Sequence, residues 1–141
     1  GCTLANISLC EYLKLKDLIN LLNNTYKDFD LDYFLQKCKQ YQFPLDKKIN
    51  EFSTGMKAKL NVLIVLSHHS QFLILDEPTN ALDKDGVNLI RKIILEEKER
   101  GTLICLASHN EEDIGILCDE TYKIETGKIL KHQYSGEQNE I

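Results

Sequence analysis

The segment Gln71–Asp83 reads QFLILDEPTNALD, a short apolar run followed by two adjacent carboxylates and a proline. Its apolar part, residues 72–76, is typical of a strand that is buried on both faces. An unpaired charge at the end of such a strand is unfavourable unless a cation or hydrogen bonds hold it. Asp76 and Glu77 therefore indicate either a functional site or a capped turn, and the strand-plus-acid pattern alone favours neither.

Helices and strands alternate after this segment. The expected order is a helix at 83–100, a buried strand at 102–107, a short helix at 110–118, and two strands within 121–131 that turn at Thr126-Gly127. The first helix places Val87, Ile90 and Ile94 on one face, opposite a glutamate-rich side, and Gly101 is a common helix stop. This alternation predicts right-handed crossovers and a mainly parallel sheet, so the fold class is α/β.

The first half of the chain differs in kind. Leu13–Gln42 has a helical pattern with a polar break, NNTYKD, and residues 43–52 form a connection that contains Pro44. The sequence therefore divides into a helical first half and a second half in which strands and helices alternate.

The composition excludes several classes of protein. A net charge of −5 and a pI near 5.4 argue against a nucleic-acid-binding surface. The longest apolar run, Val62–Leu66, is far too short to span a membrane. Five cysteines without a C-x-x-C pair indicate reduced thiols in a cytosol, and Cys105 is expected to be a small core residue.

Two polar pairs are expected at one edge of the parallel sheet, where ligands bind in such folds. Asp76–Glu77 and Ser108–His109 each follow a predicted buried strand. A Mg²⁺ ion bound through water would hold Asp76, and Glu77 could orient or deprotonate an attacking water. Pro78 favours an extended backbone at Glu77, which would turn that side chain away from Asp76.

A second candidate site lies at the start of the helix predicted within FSTGMKAKLNVLIVLSHH, residues 52–69. Ser53 is expected to be its N-cap, and the first turn carries Lys57 and Lys59 instead of acids, against the helix dipole. This departure indicates an anion site with the Ser53 hydroxyl and the Gly55 N–H as donors. The alternative is a capped helix with two solvated lysines.

The histidines also allow a structural interpretation. Ser108 and Glu111 have the spacing of a capping box, which would leave His109 an exposed loop residue. The functional interpretation makes His109 a polar contact for a phosphate or a water. His68 and His69 end a helix, and we assign them only a structural role.

Taken together, these motifs resemble those of ABC-type ATPases. FSTGM (52–56), FLILDEP (72–78), NALD (80–83) and a strand ending in SH (108–109) occur in the family's order and spacing. The chain is similar over nearly its whole length to the later part of an ABC nucleotide-binding domain, whose fold is a P-loop NTPase-like parallel sheet with flanking helices. The resemblance makes residues 1–66 the helical subdomain with the signature helix, and residues 71–132 the catalytic portion.

The resemblance implies a role for each motif residue. Ser53 and Gly55 match the signature loop, which contacts the γ-phosphate of ATP held by the opposite subunit of a dimer. Asp76 matches the Walker B aspartate that supports Mg²⁺, and Glu77 matches the catalytic base that activates water.

Two further motifs also match the family. Asn80 to Asp83 match the D-loop at the dimer seam, and His109 matches the switch histidine at the γ-phosphate. The physical interpretations of these residues point to the same roles.

The resemblance also implies cofactors, partners and location. ATP and Mg²⁺ are the cofactors, and the partners are a second nucleotide-binding domain and a transmembrane permease subunit, with no nucleic acid. The expected location is cytoplasmic, at the inner face of the cell membrane, and the expected function is ATP-driven export, with an antibiotic or peptide as the cargo. The alternatives are a non-transport ABC-type ATPase of ribosomes or DNA, or a non-catalytic truncated remnant.

The sequence departs from the family pattern in several places. Thr54 replaces the first glycine of the signature loop, and Met56 replaces its usual glutamine. The variant S-x-G-M-K is similar to one in bacitracin- and lantibiotic-type exporter subunits. Ala5 or Asn6 occupies the Q-loop position, and no glutamine precedes Gln36.

The largest departure is that no G-x-x-x-x-G-K-[ST] motif occurs, and the one Gly-Lys pair, Gly127-Lys128, lies in a turn. The phosphate-cradling loop, the first strands and the aromatic residue that stacks on adenine are thus missing from this sequence. We expect a fragment of a longer subunit or a truncated gene product, inactive as the 141-residue chain alone.

Overall fold

The computed structural model describes residues 2–3, 11–80 and 82–134. Ala5 and Asn6, at the expected Q-loop position, lie outside the described residues. The chain divides into two compact units, Gly1–Ala107 and Ser108–Ile141.

The helices of the first unit confirm the predicted helical first half. They are α1 (Leu15–Thr25), α2 (Leu31–Gln40) and α3 (Thr54–Leu66), with a 3₁₀ turn at Ile49–Glu51. The apolar side chains of α1 that are buried repeat at helical spacing: Leu15, Leu18, Ile19 and Leu22. Asp30 caps α2, because its side chain accepts a hydrogen bond from the Tyr33 N–H at 2.8 Å.

A parallel three-stranded sheet has the order β1–β2–β3. Its strands are β1 (Cys2–Thr3), β2 (Phe72–Asp76) and β3 (Leu103–Ala107), and α4 (Lys84–Glu99) connects β2 to β3. In this register Asp76 pairs with Ala107. The α/β class with a parallel sheet is confirmed, whereas β1, at two residues, is too short for a pattern to predict.

The prediction that both faces of the strands are buried was wrong. Leu73 and Leu75 are buried, and they share the core with side chains of α3 and α4. The alternate residues point the other way, because successive strand residues face opposite sides of a sheet. Phe72 is 46% exposed and Leu103 is 67% exposed. Cys105, expected in the core, is exposed on β3.

Helix α4 ends as predicted, at Gly101, whose φ of +88° suits glycine. The Thr102 N–H donates to the Glu97 carbonyl and the Gly101 N–H donates to the Lys98 carbonyl, which is a Schellman motif. The expected glutamate-rich exposed side is only partly present. Glu97 is buried, and its carboxylate is paired with Arg100, whose Nη1 lies 2.7 Å away.

The second unit contains α5 (Glu111–Leu117), β4 (Glu120–Glu125) and β5 (Lys128–Tyr134). The two strands form an antiparallel hairpin, and Thr126 and Gly127 both have positive φ, at 48° and 76°. This geometry confirms the predicted two-residue turn. Within the described residues these two strands form a sheet of their own, separate from the parallel sheet.

None of the helices in the described part of the chain is long and apolar enough to cross a membrane.

Candidate functional site

The two acids lie at the carboxyl end of β2, as the sequence predicted. Asp76 is the last residue of the strand and is exposed, whereas Glu77 is half-buried. The Glu77 N–H donates to the Ala107 carbonyl at 2.9 Å, so this residue is tied to the end of β3. Both carboxylates therefore belong to the sheet edge at which ligands of parallel sheets bind.

The predicted backbone conformation of Glu77 was wrong. Its φ is +46°, in the left-handed region, and not in the extended region that a following proline favours. Two hydrogen bonds outweigh the local preference: the one to Ala107, and a turn in which the Asn80 N–H donates to the Glu77 carbonyl at 3.1 Å. Positive φ is unfavourable for a residue with a side chain, so the backbone of Glu77 is strained.

The segment that follows the acids is held at both ends. Pro78 and Thr79 are buried, and the Leu82 N–H donates to the Thr79 carbonyl at 3.3 Å. Asp83 is the N-cap of α4, since its Oδ1 accepts from the Gly86 N–H at 2.8 Å. The exposed Asp83 carboxylate thus has a structural task in this subunit, in addition to any role at a dimer seam.

Helix α3 begins as predicted, with Ser53 as its N-cap. The Ser53 Oγ accepts from the Met56 N–H at 3.2 Å. The N–H groups of Thr54 and Gly55 lie in the first turn, where a helix offers no acceptor. Ser53 is exposed and its hydroxyl retains a proton to donate. This helix start can bind an anion.

The structure brings the starts of α3 and α4 together. A Cβ atom at Gly55 would lie 3.5 Å from Leu82 Cδ2, and one at Gly86 would lie 3.1 Å from Lys59 Cε. The first turn of α3, within the segment 52–56 that resembles the signature loop, therefore lies beside Leu82, the residue before the N-cap of α4. The sequence pattern did not predict this proximity, because the two helix starts are far apart in the chain.

The two lysines at the start of α3 are not both free to meet an anion. Lys57 Nζ lies 3.2 Å from Glu11 Oε1, and the two side chains are half-buried. The role of Glu11 was not predicted from the sequence, because an ion pair across 46 residues leaves no local signal.

His109 belongs to the second unit and is exposed there. The capping box that the spacing of Ser108 and Glu111 allowed is not formed. Asn110 is the N-cap of α5, with its side-chain oxygen accepting from the N–H groups of Glu112 at 3.0 Å and Asp113 at 3.3 Å, while the Ser108 Oγ accepts from the Asn110 N–H. Asn110 is the cap in place of Ser108, because its short amide side chain reaches the N–H groups of the first turn directly.

His68 and His69 have the structural role expected of them. His68 packs edge-on against Tyr26 and Phe29, and its burial lowers the pKa of its imidazole. His69 Nε2 lies 2.8 Å from Asp30 Oδ2.

No three His, Cys, Asp or Glu side chains converge within residues 2–3, 11–80 and 82–134. These residues therefore form no metal site that is built from protein side chains alone. Asp76 fits a different kind of site. Mg²⁺ commonly takes one or two carboxylates and completes its shell with waters and substrate phosphates. A single exposed carboxylate at a sheet edge leaves room for such a shell.

The sequence model of the family described as "ABC transporter" matches residues 9–80, just over half of the chain. The chain is 43% identical over 82 residues to the uncharacterized ABC transporter ATP-binding protein YybJ of Bacillus subtilis, covering 58% of this chain and 38% of YybJ.

Two relatives with named cargo are also similar. The lantibiotic transport ATP-binding protein SrtF of Streptococcus pyogenes is 40% identical over 67% of this chain and 42% of SrtF. The bacitracin transport ATP-binding protein BcrA of Bacillus licheniformis is 40% identical over 64% of this chain and 30% of BcrA. The chain thus spans less than half the length of each of these relatives.

Solved structures agree on the fold. The ATP-binding cassette MJ0796, in a dimeric post-hydrolysis state bound to ADP and Pi, matches 96% of this chain and 62% of its own with a TM-score of 0.79 and 16% identity. An ATP-binding subunit of an ABC transporter matches 94% of this chain and 57% of its own with a TM-score of 0.78 and 20% identity. At these identities the likeness concerns the fold.

Proposed function

Because this chain belongs to the ABC transporter family, we propose that it is the later part of a subunit that binds and hydrolyses ATP to power export through a separate membrane permease. The observation that carries the proposal is the acidic pair at the end of β2. Asp76 ends the strand and Glu77 is held at φ +46° by its hydrogen bond to Ala107. Such a conformation is unfavourable for glutamate, and strained residues of this kind cluster at active sites.

Glu77 is the proposed catalytic base. Hydrogen bonds fix its backbone on both sides and so restrict where its carboxylate can lie. The carboxylate would accept a proton from a water aligned for attack on the γ-phosphate. Asp76 would hold Mg²⁺ together with the phosphates of ATP, and the ion would neutralise charge that develops on them. His109 is the proposed polar contact at the γ-phosphate.

The start of α3 is the proposed γ-phosphate contact for ATP on a second nucleotide-binding domain. The Ser53 hydroxyl and the Gly55 N–H are its donors. Leu82 lies beside Gly55 at the start of α3, which supports a role for the neighbouring Asp83 at the seam between the two domains. We infer a dimer, homomeric or heteromeric, that acts from the cytoplasmic side at the inner face of the membrane.

The cargo is proposed to be an antibiotic or a peptide. The support is the 40% identity to SrtF and to BcrA, whose names specify lantibiotic and bacitracin transport. The helical portion up to residue 66, and the α/β portion over residues 71–132, are the proposed division of the domain.

The test uses the complete subunit that contains these residues. The wild type is expected to hydrolyse Mg-ATP, and Glu77→Gln is expected to bind ATP unchanged while turnover falls by about 10²–10⁴-fold, the usual contribution of a general base. Glu99→Gln, which removes an exposed carboxylate at the end of α4, is the matched control and is expected to keep full activity. Undiminished hydrolysis by Glu77→Gln would remove this residue from its role.

A second measurement concerns the 141-residue chain by itself. It contains no G-x-x-x-x-G-K-[ST] motif to cradle phosphates, so calorimetry is expected to detect no ATP binding. A micromolar affinity would contradict the proposed dependence on residues outside this chain.

A further inference from the structure

Glu11 contacts the chain on both sides of the signature loop. Its backbone carbonyl accepts a hydrogen bond from the Asn50 N–H at 2.9 Å, shortly before the loop. Its carboxylate Oε1 lies 3.2 Å from Lys57 Nζ, directly after the loop. One residue therefore joins the two ends of the segment that carries Ser53 and Gly55.

The backbone of Glu11 is placed by a short antiparallel pairing between the segments that precede α1 and α3. Its other hydrogen bonds are Ile49 N–H to Leu13 O at 3.1 Å, Leu15 N–H to Lys47 O at 3.1 Å and Lys16 N–H to Leu45 O at 3.0 Å. Glu11 lies at the end of this pairing that is nearest to the signature loop. Its Cα position is thus fixed independently of its side chain.

The negative charge of Glu11 compensates for the lack of an acidic residue in the first turn of α3. The first turn of α3 contains no acidic residue, and Lys57 follows close behind with a positive charge that the helix dipole disfavours. The Glu11 carboxylate supplies the missing negative charge from outside the helix. Because it pairs with the Lys57 side chain, it leaves the N–H groups of Thr54 and Gly55 available to a ligand.

We propose that Glu11 is a positioning residue for the signature loop: by joining Asn50 to Lys57 it holds the Ser53 and Gly55 donors in place for phosphate. The inference rests on the proposed function. The side chains of Lys57 and Glu11 are 33% and 44% exposed, so the ion pair is partly screened by water and its effect is moderate.

The first experiment measures amide hydrogen exchange of the chain over residues 51–57. Glu11→Gln keeps the backbone bond to Asn50 but removes the carboxylate charge, and exchange is expected to become ~2- to 5-fold faster, as for a partly exposed ion pair. The charge-swapped double variant, Glu11→Lys with Lys57→Glu, is expected to restore protection to within about 2-fold.

Asp46→Asn is the matched control for that experiment. It breaks the Lys16–Asp46 ion pair, 2.6 Å long, between the same two segments but farther from the loop. Exchange over residues 51–57 is expected to stay at the wild-type rate in this variant. Equal effects of Glu11→Gln and Asp46→Asn, or no effect of Glu11→Gln, would overturn the proposal.

The second experiment measures ATP turnover of the complete subunit. Glu11→Gln is expected to lower kcat ~3- to 10-fold and leave KM for ATP within about 2-fold, because the donors of the loop reach the phosphate only in the closed dimer. The charge swap is expected to recover kcat. A rise in KM with unchanged kcat would contradict the positioning role. If the wild type hydrolyses no ATP, the proposed function fails, while the exchange rates still decide whether Glu11 orders the loop.

Discussion

Lys37 and Glu96 join the helical first half of the chain to α4, with Lys37 Nζ 3.0 Å from Glu96 Oε2 across 59 residues of sequence. The Lys37 side chain is 11% exposed and the Glu96 side chain 35% exposed. The rings of Tyr33 and Tyr41 also lie near the ammonium, with centroids 5.5 Å and 5.8 Å from Nζ. A nearly buried cation is thus held by one carboxylate and two aromatic faces.

This arrangement predicts an asymmetry between the two partners. Glu96→Gln is expected to destabilise the chain by about 1–2 kcal/mol, because it leaves the buried Lys37 ammonium without a countercharge. Lys37→Met removes the buried charge and keeps the packing, so its cost is expected to stay below about 1 kcal/mol. Urea unfolding followed by circular dichroism measures both. Lys16→Met, which breaks an exposed ion pair, is the control and is expected to change the free energy of unfolding much less than Glu96→Gln does. If Lys37→Met lowered the free energy of unfolding as much as Glu96→Gln or more, the asymmetry would be refuted.

Gly86 is required where α4 passes α3. A Cβ atom there would lie 2.7 Å from Asp83 Oδ1, 3.1 Å from Lys59 Cε and 3.2 Å from Leu82 Cβ. Gly86→Ala is therefore expected to displace the Asp83 cap and lower the free energy of unfolding by about 1–2 kcal/mol, despite the better helix propensity of alanine. Thermal or urea denaturation measures this change.

Gly115→Ala is the control, since a Cβ atom at Gly115 in α5 would meet nothing within 4 Å. That variant is expected to gain about 0.5–1 kcal/mol. A Gly86→Ala chain as stable as the wild type would show that the contacts with Asp83, Lys59 and Leu82 yield easily.

Features decided by neighbouring residues were predictable from the sequence. The N-cap Ser53, the helix stop Gly101 and the hairpin turn Thr126-Gly127 each depend on hydrogen bonds and dihedral angles within a few residues. The acids at the end of β2 were also predictable, because a charge after an apolar strand is visible in the pattern itself.

Features decided by distant contacts were not. The φ of Glu77 is set by a carbonyl on β3, and the buried Glu97 depends on its contact with Arg100 and on the packing of α4. The ion pairs made by Lys37 and Lys57 connect segments that only the tertiary fold brings together. An apolar strand also does not reveal how many of its faces are covered, which is why the exposure of Phe72 was missed.

The left-handed backbone of Glu77 predicts an unusual order of stability. Glycine adopts φ near +46° without the Cβ penalty, so Glu77→Gly is expected to be more stable than Glu77→Ala by about 0.5–1.5 kcal/mol. At Asn88, an exposed position inside α4, the same pair of substitutions is expected to show the opposite sign, with alanine favoured by about 1 kcal/mol. Urea unfolding of the four variants measures both differences. If alanine were more stable than glycine at position 77 as well as at position 88, the backbone of Glu77 would not be strained.

The thiols are expected to differ sharply in reactivity. Burial raises the pKa of the Cys38 thiol from 9.0 to about 12, whereas Cys105 is exposed. The thiolate is the reactive form, so alkylation of the buried Cys38 by iodoacetamide at pH 8 is expected to be much slower than that of the exposed Cys105. Mass spectrometry of peptides after timed labelling resolves each site. In urea the two rates are expected to converge, and equal rates in the folded chain would contradict the burial of Cys38.

Asp30 links α2 to the end of α3 and makes stability depend on pH. Its Oδ1 accepts from the Tyr33 N–H and its Oδ2 lies 2.8 Å from His69 Nε2, and these two contacts lower the pKa of the Asp30 carboxyl. A carboxyl whose pKa is lower in the folded state adds stability above its unfolded pKa of about 3.9, and that stability is lost as the pH falls through the folded value.

Asp30→Asn isolates this charge, because asparagine is an equally good N-cap. At pH 6 the variant is expected to be less stable than the wild type by about 0.5–1 kcal/mol, a moderate value because the pair is partly exposed. The difference is expected to shrink as the pH is lowered from 5 to 3, measured as urea midpoints at each pH. Glu99→Gln, which removes an exposed carboxylate at the end of α4, is the control and is expected to leave the pH dependence unchanged. A difference between wild type and Asp30→Asn that stays constant or grows on acidification would show that the charge of Asp30 does not stabilise the fold.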